Sequence, residues 1–303
     1  MYTVILDTNI VRQLRDEPFK QIIEQEIQNG IQQFADFWTL TELIAHLDDP
    51  QGRTFRSSFK ALRRCVNRAL IPSTEQLRVT ETSEVLVSRI VFGQPLPHLQ
   101  EYFTALKNLA RAIASYESVE EFLAELPIFS TNISIVAKHV QDKEEWFSEY
   151  FEDLRQRYFK IDESYTTENR KADVNSFIDS IERDSLDAKA LINRAYKQSK
   201  QAPPNSLPAD LVSSVSSIFR LSSLSVGLLV KKILCDNVNL QKSSIRNYLW
   251  DQEVAGNIGQ IIEGLPVLLV TDDKFFREVA REVGYRHSVC TLKEYISLLG
   301  LKV

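Results

Sequence analysis

Cysteine is scarce in this 303-residue chain: Cys65, Cys235 and Cys290 are odd in number, far apart, and include no CxxC pair. That excludes a disulfide framework and a thiolate zinc site, and a reducing cytoplasm is the expected compartment. Positive charge is not in excess either. Lys and Arg number 36 against 41 Asp and Glu, a net charge of −5, so the chain as a whole does not attract polyanions and any phosphate attraction must come from a local basic face. Long apolar runs are missing. The longest stretch poor in charge, 211–230, is broken by Arg220 and rich in serine, so no membrane association is expected. The N-terminus carries no basic residues before its apolar run and reads as a strand, not as a targeting segment. Glycine is absent between Gly93 and Gly227. With apolar spacings of three and four, as in Ile135, Val136, His139 and Val140, that predicts a helical middle. Prolines at 95, 97, 127, 203, 204 and 208 are expected to cut it into several helices.

What is present differs at the two ends. Residues 3–6 form a short branched apolar run ending at Asp7, the pattern of a buried strand. A helix is predicted over about 19–29, a second strand over 34–40 and a helix from near Thr41. Toward the other end, 249–262 has helical spacing and Gly264 is expected to end that helix. Residues 266–270 read as a strand, and Thr271-Asp272-Asp273 opens a helix running to Gly284. A last strand over 287–290 and a closing helix over 291–299 complete the pattern. Strands alternating with helices imply an α/β fold with a parallel sheet. The predicted organisation is one α/β domain in two parts, 1–50 and 240–303, split by an all-helical insertion over 51–239.

Four acids stand where such a sheet places its chemistry, in the crevice beyond the carboxyl ends of the strands. Asp7 and Asp273 follow strands, whereas Glu42 and Asp251 open helices. Crowded carboxylates repel one another, and a hard divalent cation relieves the repulsion; oxygen-only ligands suit Mg²⁺ or Mn²⁺. Such ions serve hydrolysis of phosphodiesters. Structural duties compete for each acid. Glu42 has the spacing to close a capping box with Thr39, and Asp251, Asp272 and Asp273 can cap helices or favour the dipole. Asp7 alone has no evident capping duty.

Several stretches resemble the PIN-domain nucleases: Val4-Ile5-Leu6-Asp7-Thr8-Asn9, Leu40-Thr41-Glu42-Leu43, Asp251-Gln252-Glu253-Val254-Ala255, and Leu265 through Phe276 with its Thr271-Asp272-Asp273 turn. The resemblance covers the two ends and leaves out the middle. It implies a PIN-like three-layer fold around a central parallel sheet. It also implies a metal-dependent endoribonuclease yielding 5′-phosphate and 3′-hydroxyl ends. By the family pattern Asp7, Glu42, Asp251 and Asp273 are the metal-site acids. Asp272 is an alternative for the fourth, though the spacing to Phe276 favours Asp273. Thr8 and Asn9 would order the first acid and Thr271 the last.

Residues 51–70 carry Arg53, Arg56, Lys60, Arg63, Arg64 and Arg68 and no acid. Their spacing puts most of them on one helix face, either a solvated surface or a phosphate track. RNA is the expected partner and single-stranded DNA the alternative substrate. A homo-oligomer or an inhibitory protein partner is the alternative use of the insertion. The rival in another class is a non-catalytic PIN-like scaffold binding RNA or protein. A phosphatase of the haloacid-dehalogenase type fits less well, because Asn9 stands where its second Asp belongs.

Overall fold

The computed structural model describes residues 1–159, 172, 175–176, 179, 186–219, 250, 253–282 and 284–301. The fold is α/β, with a parallel sheet and many helices. The chain forms two compact units. The first comprises 1–82, 101–141 and 257–303, and the second 83–100 and 142–256. Residues 51–82 and 101–141, assigned from sequence to the insertion, therefore belong to the first unit.

In the first unit β1 (Thr3–Leu6) is central, buried at all four positions. It pairs in parallel with β2 (Gln32–Phe34) on one side and β6 (Leu265–Val270) on the other, and β6 pairs in parallel with β7 (Val289–Cys290). Covered strands of a parallel sheet have no solvent face, which is why they read as unbroken apolar runs. A parallel bridge from Ala35 to Val79 extends the edge beyond β2. A two-residue strand, β5 (Ile261–Ile262), pairs antiparallel with the start of β6. Glu263 and Gly264 between them have φ of 50° and 80°, the geometry of a tight hairpin turn. Gly264 thus turns a hairpin and does not end a helix; with Glu in place of the usual Asn or Asp, the turn carries no ordinary signature.

A short helix not expected from the sequence follows β1, and the helix expected from about residue 19 begins earlier. α1 (Thr8–Gln13) starts directly after Asp7, and α2 (Asp16–Gln28) follows it. The strand expected over 34–40 stops at Phe34. Asp36 caps α3 (Phe37–Ala45) by accepting from Thr39 N at 2.8 Å, so Phe37, Trp38 and Leu40 are the buried side of a helix. α4 (Phe55–Ala69) packs Phe55 and Phe59 against Phe122, while Phe37 stacks on Phe103 at 5.4 Å. These aromatic contacts bring 101–141 into this unit. The short strands β3 (Leu70–Ile71) and β4 (Gln76–Leu77) form a separate hairpin. The helix Lys274–Glu282 follows β6, a 3₁₀ turn over Arg286–Ser288 precedes β7, and the helix Leu292–Leu298 closes the unit.

A buried ion pair ties the layers together. Arg68 of α4 meets Glu26 of α2 through Nε (2.9 Å) and a terminal nitrogen (2.7 Å), and also donates to Val4 O and Phe34 O at 3.2 Å each. Gln33 Nε2 donates to Glu26 at 2.7 Å, and the Tyr295 hydroxyl also donates to it. The expected basic stripe therefore loses Arg68. That residue lies three positions after Cys65, on the buried seam of α4.

The second unit contains α5 (Ser83–Phe92) and the helix Leu186–Gln198. Val87, Ala188, Ile192, Ala195, Val215 and Phe219 make its apolar cluster. Lys143 lies 2.5 Å from Glu253, and Arg194 3.5 Å from Glu84. α6 (Pro97–Ala114) starts at a proline, which suits a first helical position. The cut expected at Pro127 is not made: α7 (Val119–Phe159) runs through it. Among the described residues no helix is long and apolar enough to cross a membrane.

Candidate active site

The carboxyl ends of β1 and β6 bring Asp7 and the Thr271–Asp273 turn together. Asp7 N donates to Val270 O at 3.0 Å, continuing the strand pairing past its formal end. Asp7 occupies the N-cap position of α1, yet its side chain makes no capping bond. Its Oδ2 instead accepts from Thr271 Oγ1 at 3.0 Å, and the same hydroxyl accepts from Asp273 N at 3.1 Å. One buried threonine therefore orders both acids. The role expected for Thr271 at the last acid extends to the first.

Asp7 is only 6% exposed. Burial pushes its carboxyl up to about 6, the Thr271 bond opposes the rise, and the charges of Glu42 and Asp273 add to it. Two of the other expected acids thus act on Asp7 at the end of the sheet.

Glu42 lies in the second turn of α3, too late to close a capping box with Thr39, since the cap is Asp36. Thr8 Oγ1 donates to Glu42 Oε2 at 3.1 Å and lies 3.2 Å from Thr39 Oγ1. The Thr8 side chain therefore orders the second acid, while its backbone N–H bears on the first. Arg12, one helical turn after Thr8, places a terminal nitrogen 3.3 Å from Glu42 Oε1, and His46 Nε2 lies 3.7 Å from the same oxygen. Burial works against Glu42's charge, but His46, Arg12 and Thr8 outweigh it and hold the carboxyl below its usual range. His46 Nδ1 is 3.3 Å from Thr54 Oγ1.

The acid doublet separates cleanly. Asp273 Oδ1 accepts from Phe275 N at 2.7 Å, capping the helix Lys274–Glu282. Asp272 turns the other way, accepting from Leu292 N at 3.1 Å. Asp251 lies outside the described residues. Asn9 is exposed on α1.

Among the described residues no three or more His, Cys, Asp or Glu side chains form a ready-made metal cluster. The donors are nonetheless of the right chemistry, oxygen only, with one carboxylate left short of compensating charge.

The basic residues of 51–70 are mostly engaged within the chain. Arg53 and Lys60 are exposed. Arg56 pairs with Glu120 at 2.7 Å, and Arg63 donates to Glu117 O. Arg64 pairs with Asp16 at 2.7 Å and donates to Val11 O at 3.1 Å. The stripe is laced to neighbouring elements and is not an open track.

Sequence reasoning missed Arg12, Glu26 and Asp36, and took Arg68 for part of a surface stripe. Asp36 is buried and accepts from Thr39 N, Thr80 Oγ1 (3.0 Å) and Asn257 Nδ2 (2.8 Å). Burial raises its carboxyl above the usual range against those three donors. The pattern Asp36-x-x-Thr39 before an apolar helix was the available signal. Arg12 had none, because a six-residue helix leaves no periodicity to read. Comparison with protein-family models, with curated proteins and with solved structures gave no match.

Proposed function

We propose that this chain is a metal-dependent endoribonuclease with a PIN-like α/β domain. The observation that carries the reading is Asp7: a buried carboxylate at the end of the central strand, raised to about 6, with two further acids adding to its strain. Structural acids are compensated, and an acid kept uncompensated at the sheet's carboxyl edge suits a cation that arrives later.

Asp7, Glu42 and Asp273 would hold Mg²⁺ or Mn²⁺. Bound there, the ion supplies charge neutralisation and Lewis acidity at a phosphodiester. Thr271 fixes Asp7 and the backbone of Asp273 with a single hydroxyl, so those two acids keep one geometry. Thr8 aims Glu42 toward the same edge. The products of such hydrolysis carry 5′-phosphate and 3′-hydroxyl ends. Arg53, Lys60 and the paired Arg56 and Arg64 contribute at the margin of substrate capture. A cytoplasmic setting suits the scarce cysteines.

A second reading, a non-catalytic scaffold for RNA or protein, is favoured by one observation: Glu42 is already engaged by Arg12 and His46. Titrating Mn²⁺ against RNA and DNA oligonucleotides, with wild type and Asp7→Asn, separates the two. The nuclease reading expects cation-dependent cleavage of RNA that vanishes in Asp7→Asn. Cleavage that survives excess chelator, or full activity in Asp7→Asn, overturns it.

A further inference from the structure

Two arginines of the first unit are used very differently. Arg68 spends its donors fully: Nε and a terminal nitrogen meet Glu26 at 2.7–2.9 Å, and its terminal nitrogens also reach two backbone carbonyls. Arg12 is loosely held. Its contacts, to Glu42 Oε1 and to Ser58 Oγ, are both 3.3 Å, long for charge-assisted bonds. Its Nε is buried with no hydrogen-bond partner. Arg63 and Arg78 also have such a nitrogen, but their guanidinium groups lie over the rings of Phe59 and Phe34. Arg12 lies instead beside an acid of the candidate site.

A guanidinium cannot shed its charge at any relevant pH, and its planar fork matches two oxygens of a phosphate. Nearby Arg56 and Arg64 already have carboxylate partners at 2.7 Å. The edge of the sheet otherwise gathers acids, which repel a phosphate unless a fixed cation stands among them. α1 begins at the residue after Asp7, and Arg12 in its last turn lies beside Glu42, so this cation is carried by the helix that leaves β1.

We propose that Arg12 is the phosphate-holding residue of this site: its guanidinium, resting on Glu42 and Ser58, turns to take a backbone phosphate of a single-stranded RNA. The inference rests on the nuclease reading above. It also gives the pairing of Glu42 with Arg12 a role, because the cation that holds Glu42 is the one the substrate draws away.

The test measures binding without chemistry. Fluorescein-labelled single-stranded RNA is titrated with the protein in excess EDTA across a KCl series, for wild type, Arg12→Gln and Arg12→Lys, with Mn²⁺ affinity followed separately by calorimetry. Arg12→Gln is expected to lose about tenfold in RNA affinity at low salt, as for one charge-assisted contact. Its slope of log affinity against log salt should flatten by about 0.7, one counterion of a single strand. Its Mn²⁺ affinity should not weaken. Arg12→Lys keeps a charge opposite Glu42 and so keeps the fold; it should retain the salt slope yet bind more weakly, for want of the fork. Wild-type affinity and slope in Arg12→Gln, or wild-type affinity in Arg12→Lys, overturn the proposal while leaving the nuclease reading standing. A wild-type protein that neither binds RNA in EDTA nor cleaves it with Mn²⁺ overturns the nuclease reading, and this inference with it.

Discussion

At Glu26, fully buried between α2 and α4, every approach to the carboxylate brings a donor: Arg68 from one side, Gln33 and Tyr295 from others. At Asp7, 6% exposed at the end of β1, the carboxylate receives a hydroxyl from Thr271 and the charges of two further acids. Both residues belong to the first unit. The first arrangement satisfies a buried charge and joins α2, α4, both strands and the closing helix. The second leaves a buried acid with neutral donors and, among the described residues, no cation beside it. Glu26 is thus a fastening of the fold, and Asp7 is not.

Breaking the fastening should have the largest effect. Arg68→Met leaves Glu26 as an uncompensated buried charge, a loss of about 3–5 kcal/mol. Chemical denaturation is expected to show that loss, with Tyr295→Phe costing about 1 kcal/mol. If Arg68→Met is as stable as wild type, the pair is not the fastening described.

Removing the Asp7 charge should act in the opposite direction. The folded chain raises Asp7 from 3.8 to about 6, so it binds that proton more tightly than the unfolded chain does. The stability this adds is complete below pH 3.8 and is lost as pH rises through about 6. In chelator at pH 8, Asp7→Asn should therefore be more stable than wild type by up to about 3 kcal/mol. The gap should close as pH falls below 5. Urea titrations at several pH values measure it, and a pH-independent difference would show that burial of the charge is not its source.

The acid doublet sharpens the comparison on a smaller scale. Asp273 adds its charge to Asp7, whereas Asp272 faces Leu292. Asp273→Asn should lower Mn²⁺-dependent cleavage at least about tenfold, equivalent to about 1.4 kcal/mol, and Asp272→Asn much less. The reverse order would assign the acid after β6 to Asp272. The smallest effect is expected from the basic residues of α4. Replacing Arg56, Lys60 and Arg64 together by Gln should weaken RNA binding only slightly, because Glu120 and Asp16 already hold two of them. A loss larger than that of Arg12→Gln would make α4 the main substrate track after all.

The ends of β1 and β6 were legible in the sequence because a covered parallel strand must be apolar throughout and must then stop, and the acid at the stop is conspicuous. Val267 to Val270 and Asp273 could be read in that way, as could Thr3 to Leu6 and Asp7. The edge between Phe34 and Phe37 was not legible, since an apolar run continues across the change from strand to helix and Asp36 alone marks it. Arg68 could not be told from its basic neighbours, because helix spacing does not say how far the buried seam extends. Arg12 was hidden by the shortness of α1, and Asp251 lies outside the described residues. The fastenings are long-range pairings such as Glu26 with Arg68 and Tyr295, which leave no local pattern.

A divalent cation bound at Asp7, as proposed, would stabilise the folded chain by relieving its buried charge. Thermal unfolding of wild type and Asp7→Asn at pH 7.5, followed across a Mn²⁺ titration that starts in chelator, measures this. Wild type is expected to begin at the lower midpoint and to climb with Mn²⁺, and Asp7→Asn to begin higher and climb little. Equal Mn²⁺ responses in the two proteins, or a lower starting midpoint for Asp7→Asn, would contradict it.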